Sequence, residues 1–575
     1  MQRLRRLAPG LIGLAFAAVI LWRGAARLEH EAESSEPFSL RVAEPAAVLR
    51  TDDAAEAMQW RGWVTPARER ERVELRVDGA LWEHRGDPDA GELLLPLDGL
   101  REQPGWHFIE LTLARRGGRV ERIVDPVLIG EFASEVQKSC AVVLTVSPTL
   151  LEELLVSLLE RELLPVLRDN EHMGPDTTLH EAKLELRDDA FTFELELRGV
   201  NTLAVAGAIS VRVLDDRHLQ AKLEILTEVA FRGKLRNTAR GIGAGGGAVI
   251  GGLITGPLAP VGAAAGWFAA DALVTKKARE LVREQIEAGL ELLAGIELLP
   301  GHVELIHEQP GSRVAIGLCE QTRVRATGIS AGLWVLPDPA SEAPTRFELG
   351  VPGPLVTGAA PTGDPLERGE DLRVELSIDA VNLLLSSWTA TGLLAELIGE
   401  RRALERANAE LEAWTPLQLG ALVPTRPPTL NPVGGPSEGW RYGIGGLAID
   451  LRGVEDQPWG SVYVAGAGEL SPHWDPEAGA LSLAGSLDTF ALTCARPGPE
   501  TEPPVLHGCF SEVLEAAEVR ERIDAHLRPG APGLPKLMVG ELLADALGLR
   551  IDALAMTRPR PGVLRLSAEL RPTSE

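Results

Sequence analysis

One unit occurs twice in this chain, and any fold for it has to place both copies. In the first, CAVVLTVSPTLLEELLVSLL from Cys140, a strand of aliphatics ends at Ser147 and Pro148 takes the first helical position. Leu150, Leu151, Leu154, Leu155, Leu158 and Leu159 then recur at helical spacing. In the second, DLRVELSIDAVNLLLSSWTATGLLAELI from Asp371, a strand ends at Ser377. Val381, Leu384, Leu385 and Trp388 follow at the same spacing, with Gly392 before another Leu-rich turn. Laid on one another, the strand, the Ser and the helix coincide. Each copy runs on into alternating strands. Phe191, Phe193, Leu195 and Leu197 alternate with Thr192, Glu194, Glu196 and Arg198, and Ile209, Val211, Leu223 and Ile225 extend the apolar set. In the second copy YGIGGLAIDLRG, SVYVAGAGEL and ALSLAGSLDTFALTC do the same. A period of two with one apolar face predicts an antiparallel sheet wet on one side. Further helical runs, TKKARELVREQIEAGLELL and FSEVLEAAEVRERIDAHL, precede the last strands. The pattern is an internal duplication of about 190 residues.

At 575 residues the chain exceeds what one core organises. Its formal charge of -26 is spread along the sequence, which excludes a surface built for polyphosphate and therefore nucleic acid as a partner. Apolar residues make up 45% and aromatics only 4%, so Leu, Val, Ile and Ala fill the interior, and such interiors suit aliphatic contents. Arg3, Arg5 and Arg6 precede an apolar run from Leu7 to Trp22, an export signal. Cleavage after Gly24, Ala25 and Ala26 and retention as an anchor both fit residues 1–26. Four cysteines in an exported chain are expected to pair: Cys140 with Cys319, tying the ends of one domain together, and Cys494 with Cys509 across a short Pro-rich loop.

Residues 38–130 alternate in short runs such as RVELRVDGALW and GWHFIELTLARRGG, with turn signals at Asp78-Gly79 and Gly117-Gly118. This predicts an all-β immunoglobulin-like sandwich serving as a spacer. The first repeated module then spans 138–330, a Pro/Gly-rich connector 331–370 and the second module 371–575.

Each copy resembles the lipid-binding module of the bactericidal/permeability-increasing and lipopolysaccharide-binding protein family. The second carries more of the likeness, in LSIDAVNLLLSSWTATGLLAELI and TPLQLGALVPTRPPTLNP. The resemblance covers Cys140 to Pro572. It implies an α+β fold of two tubular modules of coiled antiparallel sheet wrapped on long amphipathic helices. It also implies a groove for acyl chains and, with the export segment, a periplasmic or envelope location. The basic tips by which family members meet anionic glycolipid have no counterpart in this acidic chain. On this reading the lining is Phe191, Phe193, Leu195, Leu197, Ile209, Val211, Leu223 and Ile225 in the first copy and Leu481, Leu483 and Leu487 in the second. The ligand is a lipid or other acyl chain, a membrane surface is a partner, and no cofactor is required.

Gly241 to Ala270 carries no charge. Gly241, Gly243 and Gly246 spell GxGxxG, but no apolar strand precedes them and no acid follows at the distance a dinucleotide site needs. Gly243, Gly247 and Gly251 instead lie at i, i+4, followed by Leu253 and Ile254, a turn at Pro257 to Pro260, and Gly262, Gly266, Trp267 and Phe268. Small residues at this spacing let two helices touch. Arg232, Lys234, Arg236 and Arg240 before the run, and Lys276, Lys277 and Arg279 after it, could meet anionic headgroups. A hairpin over 241–274 that dips into one leaflet and a lid over the chain's own groove both fit.

Catalytic signals fail on context. Ser330 sits in a GxSxG, but LWVLP cannot form the helix a nucleophile elbow requires. Asp169, Glu171, His172, Asp176 and His180 lack metal-ligand spacing. The expectation is a binding protein without an enzymatic activity, or with filled cores a scaffold.

Overall fold

Alternating aliphatics make strands, and strands dominate the architecture. The computed structural model describes most of residues 38–233, 301–338 and 353–572. Residues 1–37, 234–300, 339–352, 509–535 and 538–548, with several shorter loops, lie outside the described residues.

The two repeated strands meet. In an eight-stranded sheet, Val142–Val146 runs antiparallel to Leu372–Ser377, with Leu144 opposite Val374. Outward from the first lie Gly328–Pro337 and Arg313–Leu318, and outward from the second lie Val563–Pro572 and Leu549–Arg560. Registers agree as well as order: Val314 faces Pro337 on one side, and Leu549 faces Pro572 on the other. The duplication is therefore folded about a pseudo-twofold axis between Leu144 and Val374. Each copy also sends out a four-stranded meander. The first comprises Thr178–Arg187, Ala190–Arg198, Asn201–Val213 and Leu219–Gly233. The second comprises Gln418–Pro424, Trp440–Arg452, Pro458–Asp475 and Ala480–Arg496.

The N-terminal strands do not stand apart from this frame. Ser39–Val42, Gln59–Thr65 and Glu92–Pro96 extend the second meander's sheet through Val505–Gly508, with Leu40 opposite Leu506. Facing them is a six-stranded sheet that includes Arg70–Val77, Gly105–Arg115 and Val120–Phe132. Phe38, Trp60, Leu75, Leu95, Leu111 and Ile123 fill the space between. The other face of the six-stranded sheet carries Trp106 and Phe108 onto Ala465, Ala467 and Ala491 of the second copy. Trp106 lies so close to Gly443 and Gly445 that a Cβ on either would fall 2.6 or 2.1 Å from its ring. The Thr493 hydroxyl donates to the Val124 carbonyl at 2.8 Å, and Arg426 donates to the Pro126 carbonyl at 2.7 Å. Beside it Asp125 accepts from the Trp60 indole at 2.8 Å. Burial pushes the Asp125 carboxyl upward, against the pull of the Arg426 charge and the Trp60 hydrogen bond.

The expected fold class is overturned. Among the described residues the α-helices are Pro148–Leu158, Leu164–Arg168, Ile378–Ala390 and Leu393–Ile398, the longest of 13 residues. Among the described residues no long amphipathic helix is wrapped by these sheets, which are several and flank one another. Pro165 lies in the first turn of the helix Leu164–Arg168, where its missing N–H is tolerated. Gly392 ends the helix Ile378–Ala390: at φ +77° it turns the chain out of the helix after Thr391. The helical runs expected over 275–293 and 510–527 lie outside the described residues, as do residues 1–26 and the hairpin at 241–274.

Trp106→Ala would leave an indole-sized gap over the two glycines. It is expected to cost about 3–5 kcal/mol, seen as a lower urea midpoint of the full chain; an unchanged midpoint contradicts this packing.

Candidate functional site

Alternate residues of a strand point to opposite faces, and the central sheet uses its two faces in reverse. Thr145, Ser330, Arg373, Glu375, Arg565 and Ser567 share one face and are buried. The other face carries Val142, Leu144, Val146, Ile329, Ala331, Leu333, Leu372, Val374, Leu376 and Leu566. These aliphatics are only half-buried, and Leu144 at the pseudo-twofold axis is 36% exposed.

A strap over residues 353–371 explains the buried charges. Glu375 accepts from the backbone N–H groups of Thr362 and Gly363 at 3.1 and 3.2 Å. Its other oxygen takes two hydrogen bonds from Arg565, at 3.0 and 2.8 Å. Arg373 donates to the carbonyls of Asp364 and Pro365 and to the Glu370 carboxylate. From the first copy Arg325 donates to the Gly363 carbonyl at 2.6 Å. Residues from both copies thus hold the strap on the polar face. The stretch read as a connector ties, from Gly353 on, onto this face, with Leu355, Pro361 and Gly363 buried and Asp364, Glu367 and Arg368 exposed.

Two helices bound the apolar face. Ser147 accepts from the Leu150 N–H at 3.0 Å and Ser377 from the Asp379 N–H at 3.1 Å, so each helix starts where its strand stops. The first packs Leu150 and Leu154 with Val146, Leu372, Leu549 and Ala568. The second packs Ile378 and Val381 with Leu376, Leu564 and Leu566. Asn382 fixes the second helix by accepting from the Leu430 N–H at 2.7 Å and donating to its carbonyl at 3.0 Å. Between these two clusters runs an uncharged aliphatic floor centred on Leu144 and Val374. Chemically it can do one thing, which is to cover apolar matter.

The lining residues expected from sequence fall elsewhere. Leu195 and Leu197 are packed against Leu159 and Leu164 in a closed core, with Phe193 at its margin. Phe191 is half-buried opposite Ile209, which is itself buried opposite Leu223; Val211 is half-buried. Register shifts beside Gly207 and Ile209 put Ile225 opposite Ala208, and it is 54% exposed. In the second copy Leu487 is buried and Leu481 half-buried, while the Leu483 side chain lies outside the described residues. The hairpin residues Gly243, Gly247, Gly251, Leu253, Ile254, Gly262, Gly266, Trp267 and Phe268 lie outside the described residues. Cys140 and Cys319 form the expected disulfide, with Cα atoms 5.6 Å apart. Cys494 is disulfide-bonded, and its expected partner Cys509 lies outside the described residues. Ser330 sits in mid-strand, its hydroxyl 3.1 Å from that of Thr145. Among the described residues no group of His, Cys, Asp and Glu is arranged to hold a metal, and no helix is long and apolar enough to cross a membrane.

Sequence reasoning missed the floor because it assigned the repeated strands no face and looked for the lining on the meander strands. The signal was the pair Arg373 and Glu375 opposite Thr145 and Val143, charges on the strand that both copies bury. Arg565→Met is expected to cost about 3–5 kcal/mol by removing the two hydrogen bonds that Arg565 gives the buried Glu375, which leaves Arg560 at 4.0 Å as a remaining cation, and Arg565→Met with Glu375→Met clearly less. Urea titration of the set checks this; equal losses for single and double variants would contradict the buried pair.

No protein-family model matches the chain, and no curated protein matches it in sequence. Among solved structures, a lipopolysaccharide binding protein aligns with 76% of this chain over 100% of its own length, at 12% identity and a TM-score of 0.28. P47 of Clostridium botulinum E1 aligns over the same shares at 7% identity and a TM-score of 0.25. P47 of Clostridium botulinum A2 gives 7% identity and 0.22. Likenesses this slight carry no functional argument, so function has to be read from the chain's own side chains.

Proposed function

We propose that this is an exported, non-enzymatic carrier that takes the acyl chains of a lipid on the aliphatic floor of the central sheet. The observation that supports it is the reversed sheet: charges are buried under the strap while a continuous set of aliphatics about Leu144 and Val374 is left half-open. Each methylene laid on such a surface is worth about 0.8 kcal/mol, so a single chain is held without any polar contact. The closed core around Leu195 and Leu197 supports reading the first meander as a support and the floor as the ligand surface. Exchange rather than chemistry is the mechanism: the chain leaves a bilayer, slides between the two short helices and is covered by them. The uncharged run from Gly241 to Ala270, with basic residues on both flanks, is the contact with the bilayer. The export segment puts this exchange in the cell envelope.

Mass spectrometry of organic extracts from the purified full chain tests the reading. Wild type and Ile225→Glu, which changes an exposed meander position, are expected to carry stoichiometric lipid. Leu144→Glu puts a charge on the floor at an already accessible site and is expected to carry at least about tenfold less, the effect of roughly 1.4 kcal/mol. A folded wild type without lipid, or a Leu144→Glu variant that keeps its lipid, contradicts the proposal.

A further inference from the structure

A cavity of about 400 Å³ opens on the opposite face of the central sheet from the aliphatic floor, beside the Cys140–Cys319 disulfide. That is the small end of the range for ligand pockets, roughly 300–1,000 Å³. Trp334 forms a wall, packed with Val143 and both cysteines. Its ring lies against the backbone of Gly317 on the neighbouring strand, where a Cβ would fall 2.4 Å from it. Asp216 is held in turn, its carbonyl accepting from the Leu318 N–H at 2.6 Å. The walls are therefore fixed by a disulfide and by backbone contacts.

One cation already occupies this cavity. The Lys138 ammonium sits 4.4 Å from the centroid of the Trp334 ring and 2.7 Å from the Asp216 carboxylate. An indole face attracts a cation through its quadrupole, and Asp216 supplies the opposite charge, with Glu320 on the same lining. Unlike the walls, Lys138 is free to leave: its side chain is 57% exposed, on a flexible stem. We propose that the cavity is a binding site for an alkylammonium group, quaternary or primary, recognised by Trp334 and Asp216, and that Lys138 is its intramolecular competitor. The site is independent of the acyl-chain reading, because the sheet separates the two.

Isothermal titration of the full chain with tetramethylammonium chloride, against sodium chloride at matched ionic strength, tests the proposal. Wild type is expected to bind weakly, and Lys138→Ala at least about tenfold more tightly, since its competitor is gone. Lys138→Arg is expected to bind more weakly than wild type, because a guanidinium stacks on the indole and stays. Trp334→Leu in the Lys138→Ala background is expected to abolish binding; should that variant fail to fold, Asp216→Asn in the same background replaces it, with binding at least about tenfold weaker expected. Phosphatidylcholine vesicles separate the two sources of such a group. Tighter vesicle binding by Lys138→Ala identifies a lipid headgroup, and tighter binding of the free ion alone identifies a soluble amine. Binding by Lys138→Ala no tighter than by wild type, or no binding by either, overturns the proposal.

Discussion

The Arg565–Glu375 pair under the strap is the contact on which the rest depends. Two charges taken out of water cost several kcal/mol each unless geometry and further hydrogen bonds compensate. Here both oxygens of Glu375 are used, one by Arg565 and one by the Thr362 and Gly363 backbone. Once this face of the central sheet is committed to charges and covered by residues 353–371, the period of two turns most aliphatics of the same strands to the other face, Val143 and Val563 excepted. Among the described residues, two short helices pack at its margins. The half-open floor is thus a consequence of what is buried behind it, and it is the one extended surface in the described structure that a chain of methylenes would complete.

Side-chain size then distinguishes the two copies. The motif Val-Ala-Gly-Ala occurs on the third strand of both meanders, at Val205 to Ala208 and at Val464 to Ala467. In the second copy the neighbours across the strand are Ala491 and Thr489, so the surface is flat and neutral and receives Trp106 and Phe108. In the first copy the corresponding Ala206 and Ala208 face Glu194 and Thr192, so a charge stands where the second copy has Ala491. One copy thereby acquires the N-terminal strands as an integral part, while the other packs its meander against Leu159 and Leu164.

Much of this was legible in the sequence. Ser147 and Ser377 announced both helix starts, the Ser-for-Ser alignment announced the duplication, and the pairing of Cys140 with Cys319 followed from where the first copy begins and ends. Helix length was not legible from apolar spacing, because Gly392 outweighs the leucines on either side of it. Nor was the position of Ile225, whose alternation is correct until register shifts beside Gly207 and Ile209 move it to the wet face. The candidate site was hidden for a deeper reason. Periodicity divides a strand into two faces but does not say which one the rest of the chain will cover, and Arg373 and Glu375 read as a wet face until their partners at 364, 370 and 565 are known.

The most direct test of an acyl-binding floor is to let the ligand mark its own position. A fatty-acyl probe with a diazirine on its chain, loaded into the full-length protein and activated by light, would be mapped by tandem mass spectrometry. The account predicts crosslinks in the peptides that carry Leu144 and Val374, competed away by unlabelled lipid. Crosslinks confined to the meander strands around Leu195 and Leu197, or none above background, would contradict it.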